Sequence, residues 1–199
     1  CITLFYEYGL GDPAAIPTYD MAAISRMLGK LGQLGKPVHL TEQSVPSSMC
    51  DLCPTEGYWR EPWSETQQAD FIEAFYTIVF GQPSLQAMTW WNVRDEGSFL
   101  KTGGLLDEND LPKPGYEKLR QLFTSWQTNE TGKTGAEGSR LFDAFGGDYE
   151  IKATLNGHAA STTDHLYEQT EKTVTLILDD YFPADENPAE DDDNDGCGC

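Results

Sequence analysis

Strand-type and helix-type patterns alternate along the first 126 residues of the chain. Three runs rich in β-branched and aromatic side chains predict strands, at residues 2–8, 37–41 and 85–93. Three segments with apolar residues at helical spacing predict helices, at residues 19–34, 64–81 and 115–126. Strands that alternate with helices favour consecutive βα units, and therefore an α/β fold with a parallel sheet.

The second predicted helix carries signals for its start and its end. Ser64 stands at the N-cap position, Gln67 follows as the acceptor of a capping box, and Gly81 ends the segment. The long loop before this helix contains Trp59 and Trp63. Aromatic rings in such a loop line a ligand cleft or cap the core of the fold, and the sequence leaves both interpretations open.

The composition changes after residue 126. Residues 127–138 are polar and rich in Thr and Gly, which predicts a linker. A small antiparallel β module is predicted over residues 139–182, and its signals are two alternating runs and one Asn-Gly turn, at residues 149–155, 173–178 and 156–157. Residues 183–199 are acidic and predict a disordered tail.

The charge of the chain limits its partners. Thirteen Lys and Arg stand against 33 Asp and Glu, and the net charge is −20. Such a charge repels phosphate backbones and anionic lipids, so nucleic acid is excluded as a predicted partner. No apolar run approaches the roughly eighteen residues of a membrane span, so none is predicted in this chain.

One carboxylate, Glu42, lies where the second predicted strand runs out into a loop. Catalytic residues of (β/α) barrels lie at the carboxyl ends of strands, whereas structural carboxylates usually lie on exposed helix faces. The position of Glu42 therefore favours catalysis. The alternative is a buried structural carboxylate that accepts hydrogen bonds from backbone amides.

Two motifs resemble the family-10 glycoside hydrolases, the endo-β-1,4-xylanases. Residues 35–42, GKPVHLTE, resemble the seventh strand of that family, G-x-P-I-x-I-T-E, whose Glu is the nucleophile. The eighth strand and its loop, T-x-W-G-x-x-D-x-x-S-W followed by L-L-F-D and P-K-P-A-Y, resemble TWWNVRDEGSF, GLLD and PKPGY at residues 89–99, 104–107 and 112–116. The resemblance covers about residues 2–126. It implies that residues 1–126 are the last three βα units of a partial TIM (β/α)8 barrel.

The resemblance also implies roles for individual residues. Glu42 corresponds to the nucleophile and Trp91 to the aromatic ring that packs over the sugar. The further candidates for substrate binding are Trp90, Asp95 and His39. For Asp95 the alternative is a loop-positioning residue, and for His39 a structural one.

Two departures from the family pattern concern the second carboxyl group. The family's acid/base Glu follows a W-D-V-V-N-E-like run, which this chain lacks, so we expect that residue upstream of Cys1 in a longer parent protein. Where the sixth strand of the family reads Q-x-H, this chain has Phe5 and Glu7. Glu7 is therefore a candidate second carboxylate, because adjacent like charges favour one protonated carboxyl group.

The cysteines of the chain indicate the cellular compartment in which the protein is found. Cys50 and Cys53 predict a loop disulfide, with a redox pair or half of a zinc site as alternatives, and we favour an extracellular or cell-surface location. The acidic run that ends in Gly-Cys-Gly-Cys resembles the spacer before bacterial surface-sorting segments. A surface anchor beyond Cys199 is therefore a further expectation.

The predicted function is retaining hydrolysis of β-1,4-xylan or a related plant polysaccharide, without metal or organic cofactor. The polysaccharide is the predicted partner, and this chain alone is expected to be inactive because it lacks the acid/base half. The alternative is a non-catalytic carbohydrate-binding cell-surface protein with a degenerate barrel, which binds glycan through Trp90, Trp91 and the β module.

Overall fold

The computed structural model describes residues 2–4, 21–49, 61–97, 100–167 and 170–178. The chain divides into two compact units, Cys1–Arg140 and Leu141–Cys199. Within the described segments, no helix combines the length and the apolar character needed to cross a bilayer.

The first unit contains a three-stranded parallel sheet. Its strands are β1 (Ile2–Leu4), β2 (Val38–Gln43) and β3 (Leu85–Trp90), in the spatial order β1-β2-β3. Its helices are α1 (Met21–Gly32), α2 (Glu65–Phe80) and α3 (Pro114–Ser125). Parallel neighbours in chain order, separated by helices, are the arrangement of consecutive βα units, so the predicted alternation and the predicted parallel sheet are confirmed.

Helix α2 begins and ends where its sequence signals predict. Ser64 is extended, with φ −148° and ψ 169°, and its side chain accepts a hydrogen bond from the Gln67 backbone N–H at 3.2 Å. Gly81 follows the last turn, and its N–H donates to the Thr77 carbonyl at 3.2 Å. The reciprocal half of the capping box is absent, because Gln67 Oε1 is buried and accepts no hydrogen bond from any described residue.

The core of this unit lies between the sheet and the helices. Leu40 of β2 is fully buried, as are Phe71 and Phe75 of α2, whose rings stack with centroids 5.4 Å apart. Trp63 is 3% exposed and meets Phe71 edge to face at 6.3 Å, so this ring caps the core instead of lining a cleft. Burial of each large apolar side chain contributes about 1.5–3 kcal/mol, which makes this layer the main source of stability.

Strand β2 contains one extra residue near its carboxyl end. Leu40 pairs with Met88 of β3, and Gln43 pairs with Trp90, so β2 advances by three residues while β3 advances by two. The pairing of β2 with β1 shifts over the same stretch. A bulge of this kind bends the strand and changes where its side chains point.

The second unit contains an antiparallel hairpin, β4 (Gly147–Leu155) and β5 (His158–Leu166). Asn156 and Gly157 join the strands with φ values of 48° and 87°, the pair of positive values that a type I′ turn requires. The predicted Asn-Gly turn is confirmed. The predicted partner strand at residues 173–178 is wrong, since β5 begins directly after the turn and residues 173–178 are in no strand.

Candidate functional site

Glu42 lies in the bulge at the carboxyl end of β2 and is half-buried. Its carboxylate forms no hydrogen bond or ion pair with any described residue. The alternative of a structural carboxylate held by backbone amides therefore has no support among the described residues. The carboxyl ends of β1 and β3 lie at the same edge of the sheet as this carboxylate, because both strands are parallel neighbours of β2.

Trp91 follows β3 directly and lies beside the end of β2. Its backbone N–H donates to the Gln43 carbonyl at 2.8 Å, one residue after Glu42. The Trp91 side chain is 48% exposed, so a large part of its ring is open to solvent. The structure thus places the two principal residues predicted from the sequence, Glu42 and Trp91, on adjoining strand ends.

Trp90 belongs to the core instead of the site. It is 8% exposed, and its indole N–H donates to the Gly103 carbonyl at 2.9 Å. The ring that the sequence analysis assigned to glycan is therefore enclosed by protein, and Trp91 is the member of the pair that presents a surface. Trp90 is the last residue of β3 and Trp91 the first residue of the following loop, and their exposed fractions are 8% and 48%.

The carboxylate of Asp95 is engaged within the protein. It accepts hydrogen bonds from Lys113 Nζ at 2.8 Å and from the Gly104 backbone N–H at 2.8 Å, and its side chain is 18% exposed. These contacts agree with the loop-positioning alternative. His39 is exposed near the start of β2, three residues before Glu42, and the structure does not bring it to the strand ends.

Several sequence-based candidates lie outside the described residues, namely Glu7, Cys50, Cys53 and Trp59. The second carboxylate and the disulfide therefore stay predictions. Across the described segments, no group of three or more His, Cys, Asp or Glu side chains is arranged to hold a metal ion.

Sequence reasoning missed the polar residues that support the strand ends. Lys113 is 3% exposed and Gln68 is fully buried, although both residue types are usually at the surface. Gln68 did carry a signal, because it precedes Phe71, Ile72 and Phe75 at spacings of three, four and seven residues and thus lies on the apolar face of α2. A polar residue on an apolar face needs hydrogen-bond partners, and Gln68 Nε2 finds acceptors in the loops after β2 and β3, whereas Gln68 Oε1 accepts no hydrogen bond from any described residue.

The carboxylate of Asp107 stabilises a turn in the loop after β3. Asp107 Oδ1 accepts hydrogen bonds from the backbone N–H groups of Asn109 and Leu111, both at 2.8 Å. The bond from Leu111 is the main reason that the pKa of Asp107 lies below its ordinary value. This carboxylate is therefore committed to the turn, and its chemistry is structural.

Comparisons with known proteins give partial similarities. No family model matches the chain. Anti-sigma-I factor RsgI6 of Acetivibrio thermocellus is 24% identical over 139 residues, which are 69% of this chain and 16% of that protein. The chain thus spans about a sixth of that curated relative.

Solved structures similar to this chain include xylanases and β-glucuronidases. Xylanase 10B from Thermotoga petrophila in complex with xylobiose is 23% identical, with a TM-score of 0.42 over 53% of this chain and 32% of that chain. The β-glucuronidase of Bifidobacterium dentium is 22% identical, with a TM-score of 0.46 over 60% of this chain and 20% of that chain. Xylanase10C of Cellvibrio japonicus is 21% identical, with a TM-score of 0.40 over 54% of this chain and 25% of that chain. The chain is therefore similar to glycoside hydrolases at low identity, over about half of its own length and a third or less of theirs.

Proposed function

We propose that the chain is the C-terminal part of a retaining glycoside hydrolase that acts on β-1,4-xylan or a related plant polysaccharide. Its first unit would supply the last βα units of a TIM barrel. The observation that carries the proposal is the placement of Glu42 and the half-exposed Trp91 on adjoining strand ends. A carboxylate beside an open aromatic surface combines a nucleophile with a platform for the C–H face of a sugar.

In this reaction Glu42 attacks the anomeric carbon while an acid carboxyl group protonates the departing glycosidic oxygen. The anomeric C–O bond breaks, and a glycosyl ester with Glu42 forms. The same acid group, now a carboxylate, then removes a proton from water, and the hydroxide equivalent displaces Glu42 from the sugar. Neither step consumes a cofactor.

The proposal needs a second carboxyl group about 5–5.5 Å from Glu42. We assign this group to the parent protein upstream of Cys1, with Glu7 as the candidate within this chain. On the first assignment, the 199-residue chain alone is inactive toward xylan.

The test is the release of reducing sugar from xylan by the full-length protein and its Glu42→Gln variant. Glutamine keeps the size of the side chain but lacks the nucleophilic oxygen, so we expect turnover to fall by about 10⁴-fold or more, while the variant still sediments with insoluble xylan. Glu73→Gln is the matched control, because Glu73 lies on α2, is exposed and pairs with Lys118 at 2.9 Å. Turnover that survives Glu42→Gln at the level of this control would remove Glu42 from the mechanism.

The second candidate function is a non-catalytic glycan-binding protein with a degenerate barrel. The curated relative favours it, since that protein is named an anti-sigma-I factor. In that case Trp91 would retain glycan and Glu42 would form no ester. Wild-type protein that sediments with xylan yet releases no reducing sugar would select this candidate.

The proposal includes an extracellular or cell-surface location with a surface anchor beyond Cys199. It follows from the Cys50 and Cys53 pair and from the acidic C-terminal run. Labelling of intact cells with a membrane-impermeant biotin reagent tests this location, and a protein that is labelled only after lysis would contradict it.

A further inference from the structure

We infer that a buried lysine clamp, composed of Lys113, Asp95, Ser47 and Gln68, positions Trp91 for glycan binding without touching the glycan. It fastens the loop after β3 (residues 91–97 and 100–113) to the loop after β2 (residues 44–49) and to α2. The inference rests on the proposed function and adds positioning residues to the same site.

Lys113 is the centre of the clamp. Its Nζ donates to Asp95, whose Oδ1 and Oδ2 lie 2.8 and 3.0 Å away, to Ser47 Oγ at 2.9 Å and to the Thr102 carbonyl at 3.2 Å. Three residues thus provide acceptors for the three N–H groups of an ammonium ion, so the buried charge is both paired and fully hydrogen-bonded. Because Ser47 follows β2 while Asp95 and Thr102 follow β3, one side chain connects both loops.

Gln68 connects the same loops to α2. Its Nε2 donates to the Val45 carbonyl at 2.9 Å and to the Gly104 carbonyl at 3.3 Å. Val45 belongs to the first loop and Gly104 to the second. The position of both loops relative to the helix layer is therefore set by one amide group in the core.

The backbone of the second loop packs too closely for either loop to shift alone. A Cβ at Gly104 would lie 2.4 Å from the Arg94 carbonyl carbon, and a Cβ at Gly103 would lie 2.5 Å from Ser44 Oγ. The Ser44 hydroxyl also donates to the Gly103 carbonyl at 2.9 Å. Displacement of the second loop relative to the first would break both contacts between Gly103 and Ser44.

Trp91 is held on both sides by this arrangement. Its own N–H is bonded to the Gln43 carbonyl, and Asn92, the next residue, is 5% exposed. Four residues after Trp91, Asp95 enters the clamp. A ring whose backbone is fixed in this way loses less conformational entropy when a sugar packs on it, and such preorganisation raises affinity without any new contact.

Removal of the Lys113 ammonium should therefore weaken glycan binding. Lys113→Met keeps the length of the side chain but leaves Asp95 and Ser47 without their common donor. In the full-length protein we expect this change to raise the Kd for soluble xylan about tenfold. The Kd is measured by affinity electrophoresis at a temperature where the variant is folded. Lys118→Met is the matched control, because Lys118 lies in α3, five residues after Lys113, and pairs with Glu73, away from both loops. We expect its Kd to stay within about twofold of the wild type.

A double-mutant cycle separates positioning from general destabilisation. Trp91→Ala alone should raise the Kd about thirtyfold, as for the loss of a central aromatic contact. In the Lys113→Met background, the same change should raise it by less than about fivefold, because the ring is no longer fixed. Additive effects in the folded variants would overturn the inference.

Ser47→Ala provides a second variant that removes a single acceptor of the clamp. It should fold even where Lys113→Met does not, and it should raise the Kd about threefold with the same non-additivity toward Trp91→Ala. If Trp91→Ala weakens binding but folded Ser47→Ala binds like the wild type, the inference fails and the proposed function stands. If Trp91→Ala itself leaves the Kd unchanged, the proposed function fails first.

Discussion

Glu42 owes its place at the strand edge to an irregularity of β2. Side chains of a regular strand alternate between two faces, and Leu40 is fully buried against the helices. Continued alternation would turn Glu42 toward that same helix layer. The extra residue between Leu40 and Gln43 interrupts the alternation, and Glu42 is half-buried where a core residue would be enclosed.

Glycine at position 104 is required by the close approach of two backbones. In Gly104→Ala the new Cβ would lie 2.4 Å from the Arg94 carbonyl carbon and 2.5 Å from the Asp95 nitrogen, so the loop must move. We expect a loss of about 1–3 kcal/mol in the free energy of unfolding, measured by urea denaturation. Gly29→Ala is the control, because Gly29 lies in α1 with nothing within 4 Å of its Cβ position, and there alanine should stabilise by about 0.5–1 kcal/mol. Equal effects at the two positions would contradict the packing of this loop.

The residues of the site were predictable to different degrees. Glu42 and Trp91 were predictable because motifs place them at the ends of neighbouring strands. The Trp90-Trp91 pair did not reveal which ring is exposed, since this depends on the register of β3. Lys113 was not predictable as a buried residue, because its acceptors are as distant in sequence as Ser47.

At the scale of elements, local signals predicted the ends of α2, whereas the choice of the strand that pairs with β4 was not visible in the composition of that strand. The N-cap hydrogen bond of Ser64 depends on neighbouring residues alone, and it forms as predicted. Residues 158–166, HAASTTDHL, have few large apolar side chains and gave no strand signal. They pair with β4 because the two-residue turn at Asn156 and Gly157 sets the register directly.

The turn that Asp107 organises should loosen in acid. The hydrogen bond from Leu111 lowers the pKa of Asp107 in the folded state, so its ionised form stabilises the fold above the ordinary carboxyl pKa, and this contribution is lost as the pH falls through the lowered value. Asp107→Asn keeps an acceptor oxygen but does not titrate. We expect the urea midpoint of Asp107→Asn to fall less than that of the wild type between about pH 5 and pH 2. Asp107→Ala, which removes the acceptor, should be less stable than Asp107→Asn at every pH. An identical acid dependence of the wild type and Asp107→Asn would contradict this role.

At the scale of the whole chain, the two units differ in how much surface they remove from water. All buried apolar side chains of the described residues belong to the first unit. Even there, His39 and Ala87, which are paired on β2 and β3, are both exposed. Parallel sheets are ordinarily covered on both faces, and the proposal that further βα units complete a barrel accounts for this exposure.

This difference between the units predicts a difference in local stability. Side chains of β4 and β5 alternate between half-buried and exposed positions, and an isolated two-stranded hairpin is marginally stable in water. Amide hydrogen exchange followed by mass spectrometry should therefore show protection factors about a hundredfold lower in β4 and β5 than in α2, where Phe71 and Phe75 are fully buried. The comparison within one molecule controls for pH and temperature. Protection of β4 and β5 equal to that of α2 would contradict this prediction. It would mean that the half-buried face of the hairpin, which includes Tyr149 and Ile151, is covered in solution.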